Sequence, residues 1–420
     1  MTLERFTGRA LVLLALFCGA VFAVWMLHPE PVEMMYGFFS TSPGGERETI
    51  YPYFLSRMAW PSALLGALSL ALAAVFLRRP DVIAGSERAD GFLTPGTALF
   101  LASALALYFE ILGIRWWGSE MRSLAYFKNL TLICAFLGLG GGMLLKGSRR
   151  DLLPYFPLCF GLLTFLAVSP PGKILGRLDV PGAGIFFYFQ SWAENSGLRA
   201  FAFCGFIVLV IGLQVGCFIP LGQFISRQTN KLPPIKGYSL NILGSLVGLL
   251  AFSAMSFFSL PSWSWFAVGC AGFLALAGAF HARRLLVLEG ALCALSVVAV
   301  ALGDAGSLWS PYYKVETVPW DIDVVCSADF KNYYYKELPR GKIPWGYGVS
   351  YNALYFVNGL DASEAFIAKH PQYRDCRKEV MPQNLLALDY FPPPKDQETL
   401  IIAPGPGNDV AIFLERGAKH

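Results

Sequence analysis

The chain has 420 residues, of which 55% are hydrophobic and only 15% charged, with a mean hydropathy of +0.50. A soluble domain of this length carries about a quarter charged residues, so composition excludes an ordinary globular protein and makes the lipid bilayer the first partner of a multispanning membrane protein. The net charge of +4 is small and spread over loops, which gives no basis for a nucleic-acid partner.

Residues 10–27 form a continuous apolar run behind Arg5 and Arg9. Its length suits a span and no small-residue cleavage site follows His28, so it reads as a signal anchor that stays attached. A polar loop over 28–60 contains Gly44, Gly45 and several prolines. Further apolar runs at 61–77, 96–114, 124–145, 152–169, 198–225, 238–258, 261–280 and 285–302 bring the total to about nine spans. Pro154 and Pro157 in the fifth and Pro220 late in the sixth predict kinks or breaks. The glycines Gly138, Gly140, Gly141 and Gly142, and Gly244 with Gly248, suit close helix approach. Gln214 and Asn241 read as interhelical hydrogen-bonding groups, and Trp263, Trp265, Trp309 and Tyr312 as interfacial aromatics.

Basic residues fall in alternate loops: Arg78, Arg79 and Arg88, then Lys146, Arg149 and Arg150, then Arg227, Lys231 and Lys236, then Arg283 and Arg284. That alternation places the N-terminus and these loops in the cytoplasm.

An acidic side chain at mid-membrane costs about 2.5–3.5 kcal/mol even on the lower, insertion-based scale, so each one needs a reason. Glu110 and Arg115 stand at i, i+5 near the end of the third span, and Lys128 lies early in the fourth. Two readings stand: a polar site for a substrate head group built from Glu110, Arg115 and Lys128, or an interfacial ion pair whose snorkelling arms set helix depth. The ion pair is the favoured expectation. Seven of the nine cysteines lie in predicted spans and none forms a CxxC, so neither a disulfide framework nor a zinc site is expected. The four histidines are scattered, and no metal site, triad or other catalytic set is identified.

After about residue 305 charged residues become frequent and the pattern shortens. Alternating segments at 312–318, 321–325 and 353–357 read as strands, with turns at Pro319, Gly341 and Asn358-Gly359, and 361–370 suits a short helix. Pro392, Pro393 and Pro394 separate this β-rich layer from an apolar strand at 400–402, a loop rich in Gly and Pro, and a helix that Asn408 caps and Asp409 supports. The expected organisation is a polytopic helical membrane domain over 1–305, a small β-rich segment over 306–395, and the start of a Rossmann-like α/β fold over 396–420. Backbone around Ala403, Gly405, Gly407, Asn408 and Asp409 would approach a nucleotide closely, since Gly405 and Gly407 have no Cβ in the way.

Four segments in order, 309–314 (WSPYYK), 355–359 (YFVNG), 393–395 (PPK) and 402–409 (IAPGPGND), resemble the spermidine synthase-like proteins that carry an N-terminal membrane region. The spans resemble that family too, at 108–115 (YFEILGIR), 136–140 (FLGLG) and 238–245 (YSLNILGS). The resemblance implies a class I methyltransferase-type fold whose glycine loop binds S-adenosylmethionine or its decarboxylated form. It also implies aminopropyl or methyl transfer to a small-molecule acceptor. The chain departs from the family pattern at Ala403, where a first glycine is usual, at Pro406, where soluble relatives carry an acidic residue, and at Asp361, where glutamine is common. The sequence given ends at His420 before a second strand with its ribose-binding acid, so the expectation is the front part of a longer transferase, inactive in this length. The alternative is a transporter-like or structural membrane protein with a non-catalytic appendage. A cytosolic cofactor places the C-terminal domain in the cytoplasm of a bacterial plasma membrane, against the parity of nine spans.

Overall fold

The computed structural model describes residues 3–27, 60–78, 92–121, 124–125, 127–168, 197–321, 344–351, 354–360 and 364–371. The chain divides into two compact units, one of Met1–Val32 with Glu46–Lys314 and one of Glu33–Gly45 with Val315–His420. The glycine loop, with Ala403, Gly405, Gly407, Asn408 and Asp409, lies outside the described residues, as do the strand and helix that flank it.

The first unit is a helical bundle. Its helices are α1 (Leu3–Leu27), α2 (Trp60–Arg78), α3 (Pro95–Glu120), α4 (Lys128–Leu144), α5 (Tyr155–Val168), α6 (Gly197–Thr229), α7 (Pro234–Phe257), α8 (Ser262–Phe280) and α9 (Arg283–Gly303). These nine, counted among the described residues, fall on the nine apolar runs. Six of them are long and apolar enough to cross a membrane, namely α3, α4 with its 3-10 extension, α6, α7, α8 and α9. The protein is therefore a multi-pass α-helical membrane protein, in which each span satisfies its own backbone hydrogen bonds where no water can.

The prolines act differently from expectation. Pro154 precedes α5 and Pro157 sits in its first turn, where a missing N–H costs little, so they set where α5 begins. Pro220 lies inside α6, yet the helix runs unbroken to Thr229. α3 opens on Pro95 behind an N-cap, Thr94, whose side chain accepts from Thr97 N at 3.3 Å.

Glycine sets the helix pairs. A Cβ added at Gly244 or Gly248 of α7 would lie 2.3 Å from Phe100 O or 2.0 Å from Ala104 O of α3, and one at Gly142 of α4 would lie 2.1 Å from Ile219 O of α6. Both pairs run parallel, because later residues of one helix meet later residues of the other. Gly140 and Gly141 are not needed for contact, having nothing closer than 4.0 Å. α3 carries the centre of the core: Phe109 packs on Phe156 and Phe160 of α5, and Trp116 on Phe266 of α8. A smaller cluster of Leu11, Leu72, Ala73, Leu158, Leu285 and Leu292 ties α1 and α2 to α5 and α9.

Two of the expected interfacial aromatics are core residues. Trp265 is fully buried and Trp309 nearly so, edge to face at 4.8 Å, whereas Trp263 and Tyr312 are exposed. Asn241 does bridge helices, accepting from Ser103 Oγ at 2.7 Å.

Past α9 the chain forms β1 (Leu308–Trp309) and enters β2 (Lys314–Asp321). In the second unit β2 pairs antiparallel with β3 (Pro344–Tyr351), and β3 with β4 (Leu354–Leu360), before a short α10 (Glu364–Lys369). Here two expected turns are strand residues. Pro319 lies opposite Tyr347, with the register slipping just after it, between Trp320 and Asp321. Asn358 and Gly359 pair with Gly348 and Tyr347, and the connection falls at 352–353 because Tyr351 is already opposite Leu354. The Asn-Gly signal named a hairpin of the right strand at the wrong end.

Candidate functional site

The buried polar side chains of the bundle fall into three layers. At the end where α4, α6 and α8 finish, His281 follows α8 and is itself fully buried. Its Nε2 lies 3.0 Å from Asp151 Oδ2, ahead of α5, and its Nδ1 lies 2.8 Å from Glu289 Oε1 on α9. The second contact is close but does not have the geometry of a hydrogen bond, and among the described residues neither Glu289 oxygen has a hydrogen-bond partner. Arg227 of α6 completes the group, with Nη1 3.8 Å from Asp151 Oδ1 and a hydrogen bond to Arg150 O at 2.7 Å. Gln223, one turn earlier, donates to Leu145 O and Arg150 O and accepts from Leu152 N, closing the α4 to α5 turn. Burial pulls the His281 pKa down, but its bonds to Asp151 and Glu289 and their charges outweigh that and hold it at about 9. The quartet is then two cations and two carboxylates, neutral as a set.

At the opposite end, Lys314 is buried between two carboxylates, bonded to Glu120 Oε1 at the end of α3 and 2.7 Å from Asp304 Oδ1 after α9. Trp116 Nε1 donates to Asp304 Oδ2 at 3.1 Å, and Ser262 Oγ donates to the same oxygen. Burial alone would raise the Asp304 pKa; the Lys314 charge and the bonds around it bring it below the usual carboxylate range. Nearby, Arg115 donates to the carbonyls of Ser310 and Pro311 and lies over the rings of Trp265 and Trp309, at 5.3 and 5.8 Å. With Arg115 counted, this end is also neutral.

Between the two lies Glu110, only 4% exposed, with no hydrogen bond or ion pair among the described residues. An i, i+5 spacing turns Arg115 about 140° away from it around α3, which is why the two do not meet. Lys128 begins α4, and its side chain lies outside the described residues. Gln214 of α6 is fully buried with neither amide atom partnered among the described residues, against the expectation of an interhelical bond, and the same holds for the buried Thr131 Oγ1 of α4. A Cβ added at Gly113 would meet Thr131 Cγ2 at 3.3 Å, and one at Gly138 would meet Val215 O at 2.6 Å. Since α3 runs against α4 and α4 runs with α6, Glu110 and Gln214 sit within about one helical turn of the same level, with Thr131 about a turn away.

Of the described residues singled out from sequence for a polar role, Glu110 and Gln214 are left without a polar partner among the described residues. The two end clusters were missed, because their members stand far apart in the chain: Asp151 and His281 are 130 residues apart, and Lys314 and Glu120 194. One usable signal was present, since Glu289 is the sole acidic residue within the apolar run 285–302. No group of three or more His, Cys, Asp or Glu among the described residues is arranged to hold a metal. Comparison with protein-family models, curated proteins and solved structures finds no match.

Proposed function

We propose that the bundle binds and carries a small polar solute across the membrane, the transporter-like reading, with Glu110, Gln214 and Thr131 as the solute layer. One observation carries this. At the two ends of the bundle each buried charge is set against an opposite one, whereas the middle keeps a carboxylate with no ion pair and an amide with no hydrogen bond among the described residues. Each such group costs about 1–3 kcal/mol in an apolar interior, a cost that a purely structural scaffold would have no use for.

Orientation supports the same reading. The exposed basic residues Arg78, Lys146, Arg149, Arg150, Lys231, Lys236, Arg283 and Arg284 all belong to the end of the bundle where α2, α4, α6 and α8 finish. By the charge rule that end faces the cytoplasm. α9 runs away from it, so the chain past Gly303 emerges on the other side, where a cytosolic nucleotide is absent.

The second reading is the S-adenosylmethionine-type transferase, aminopropyl or methyl, with cofactor at Gly405 and Gly407 and a cytoplasmic C-terminal domain. Its support is the order of the four family-like segments in the sequence.

The test of the solute layer is thermal stability in detergent. Glu110→Leu and Gln214→Leu remove groups held at a cost, so each should raise stability by about 1–3 kcal/mol. A loss of stability in both would mean that these side chains hold the fold, and would overturn the solute layer.

A further inference from the structure

Among the remaining buried titratable groups, the quartet at the basic end has the most definite geometry. Asp151 is 14% exposed in its side chain and Arg227 19%, whereas His281 is at 0% and Glu289 at 1%. Asp151, His281 and Glu289 therefore lead from water inward, in the order carboxylate, imidazole, carboxylate. A simple helix staple would end on a satisfied partner, but this one ends on Glu289 Oε2, buried and unpartnered, inside a segment long and apolar enough to span. Chains of Asp, Glu and His within membrane spans have a general chemical use as proton carriers.

We propose that Asp151, His281 and Glu289 form a proton-loading site, in which a proton enters from water at Asp151, crosses the imidazole and is stored on Glu289. In the transfer the His281 Nδ1–H bond breaks and an O–H bond forms on Glu289 Oε1, leaving a neutral ring with its proton on Nε2. The two atoms between which this proton moves lie 2.8 Å apart. The ring is recharged by one proton from water at the Asp151 end, after it turns its bare nitrogen to that side. One proton has then moved from water to Glu289, and the quartet goes from neutral to a charge of +1.

The charged and titratable groups that face this site come from four elements: Asp151 ahead of α5, Arg227 of α6, His281 after α8, and Glu289 with Cys293 one turn on in α9. Arg227 lies 3.8 Å from Asp151 and supplies no proton itself. The inference deepens the transporter-like reading by naming the proton as the coupling ion, and rests on that reading for its purpose only.

The experiment is a pH jump on the full chain in lipid nanodiscs, followed by infrared absorption of the carboxylic acid C=O group. The Glu289 band is the one absent in Glu289→Gln. Expected is a Glu289 acid band that grows after an acid jump, at a rate at least tenfold slower in Asp151→Asn and in His281→Gln and near the wild-type rate in Asp151→Glu. Circular dichroism and monodisperse elution confirm that each variant is folded, and Asp151→Glu keeps the comparison decisive should the neutral variants fail to fold. The proposal is overturned if Glu289→Gln removes no pH-dependent band, or if Asp151→Asn and His281→Gln both load at the wild-type rate. Infrared reads the proton alone, so its failure leaves the Glu110 layer standing, and the stability test at Glu110 is in turn blind to the proton.

Discussion

Raising the pH through 9 should unlock the end of the bundle where α8 turns into α9. His281 is held at about 9 against an ordinary value of 6.5. At 1.36 kcal/mol per pH unit, that difference is worth about 3 kcal/mol of folding free energy. The side chain is fully buried, so solvent screening takes little of this away. A group whose folded pKa is raised contributes its stability in full below its unfolded value, and loses it as pH climbs through the folded one. The contribution is thus complete below about pH 6.5, declines steadily above it and is gone beyond about 9. For a chain of this size, 3 kcal/mol corresponds to about 3–4 °C in melting temperature. Intrinsic tryptophan fluorescence during heating, in detergent at a series of pH values between 6 and 9.5, measures it. His281→Gln should start lower at pH 6 and be nearly flat across the range. A flat wild-type profile, or an unchanged slope in His281→Gln, would refute the imidazolium held between two carboxylates. Asp304 gives the opposite sign at acid pH: its lowered pKa stabilises above the ordinary carboxylate range and is lost as pH falls through the folded value.

Two further outcomes are expected. Tyr312, exposed and past α9, should react with an impermeant maleimide in intact cells as Tyr312→Cys in a chain lacking Cys326 and Cys376, while Lys231→Cys at the basic end reacts only after permeabilisation; the reverse pattern would favour the cytosolic transferase. Gly248→Val should lower stability by about 1–3 kcal/mol or more, because even a Cβ would lie 2.0 Å from the Ala104 carbonyl and α3 must move away from α7 to admit it; a melting temperature equal to wild type would contradict that contact.

The helices were legible in the sequence because a span has to be apolar for about twenty residues regardless of what it packs against. The glycines of α4 and α7 were legible for a related reason, since close approach needs the absence of a side chain. The polar clusters were not. Asp151 reads as a loop residue and His281 as one of four scattered histidines until α5, α8 and α9 bring them to one place. Glu110 and Arg115 illustrate the opposite error, neighbours in sequence that helix geometry turns to different faces. In the β-rich part, composition found β4 but placed its turn wrongly, because Asn358 and Gly359 are tolerated within a strand once Tyr351 and Leu354 have closed the connection.

The two charged ends also differ in what they allow. Lys314 is 2% exposed, and so is Glu120, with Asp304 at 6%, so this network has no side chain that reaches water to any extent. Its lysine is the first residue of β2, and removing one partner would leave a buried charge uncompensated, at about 3–5 kcal/mol. Such an arrangement fixes where the chain leaves the bundle. The quartet at the basic end keeps two partly exposed members and includes a histidine, the one side chain whose ordinary pKa lies near neutrality. Of the two networks, only the quartet therefore has carboxylate exposed to water, at Asp151. Under the proposed proton loading, the closed network would hold the opposite end fixed while the charge at the basic end changes, an asymmetry that suits a device working between two sides of a membrane.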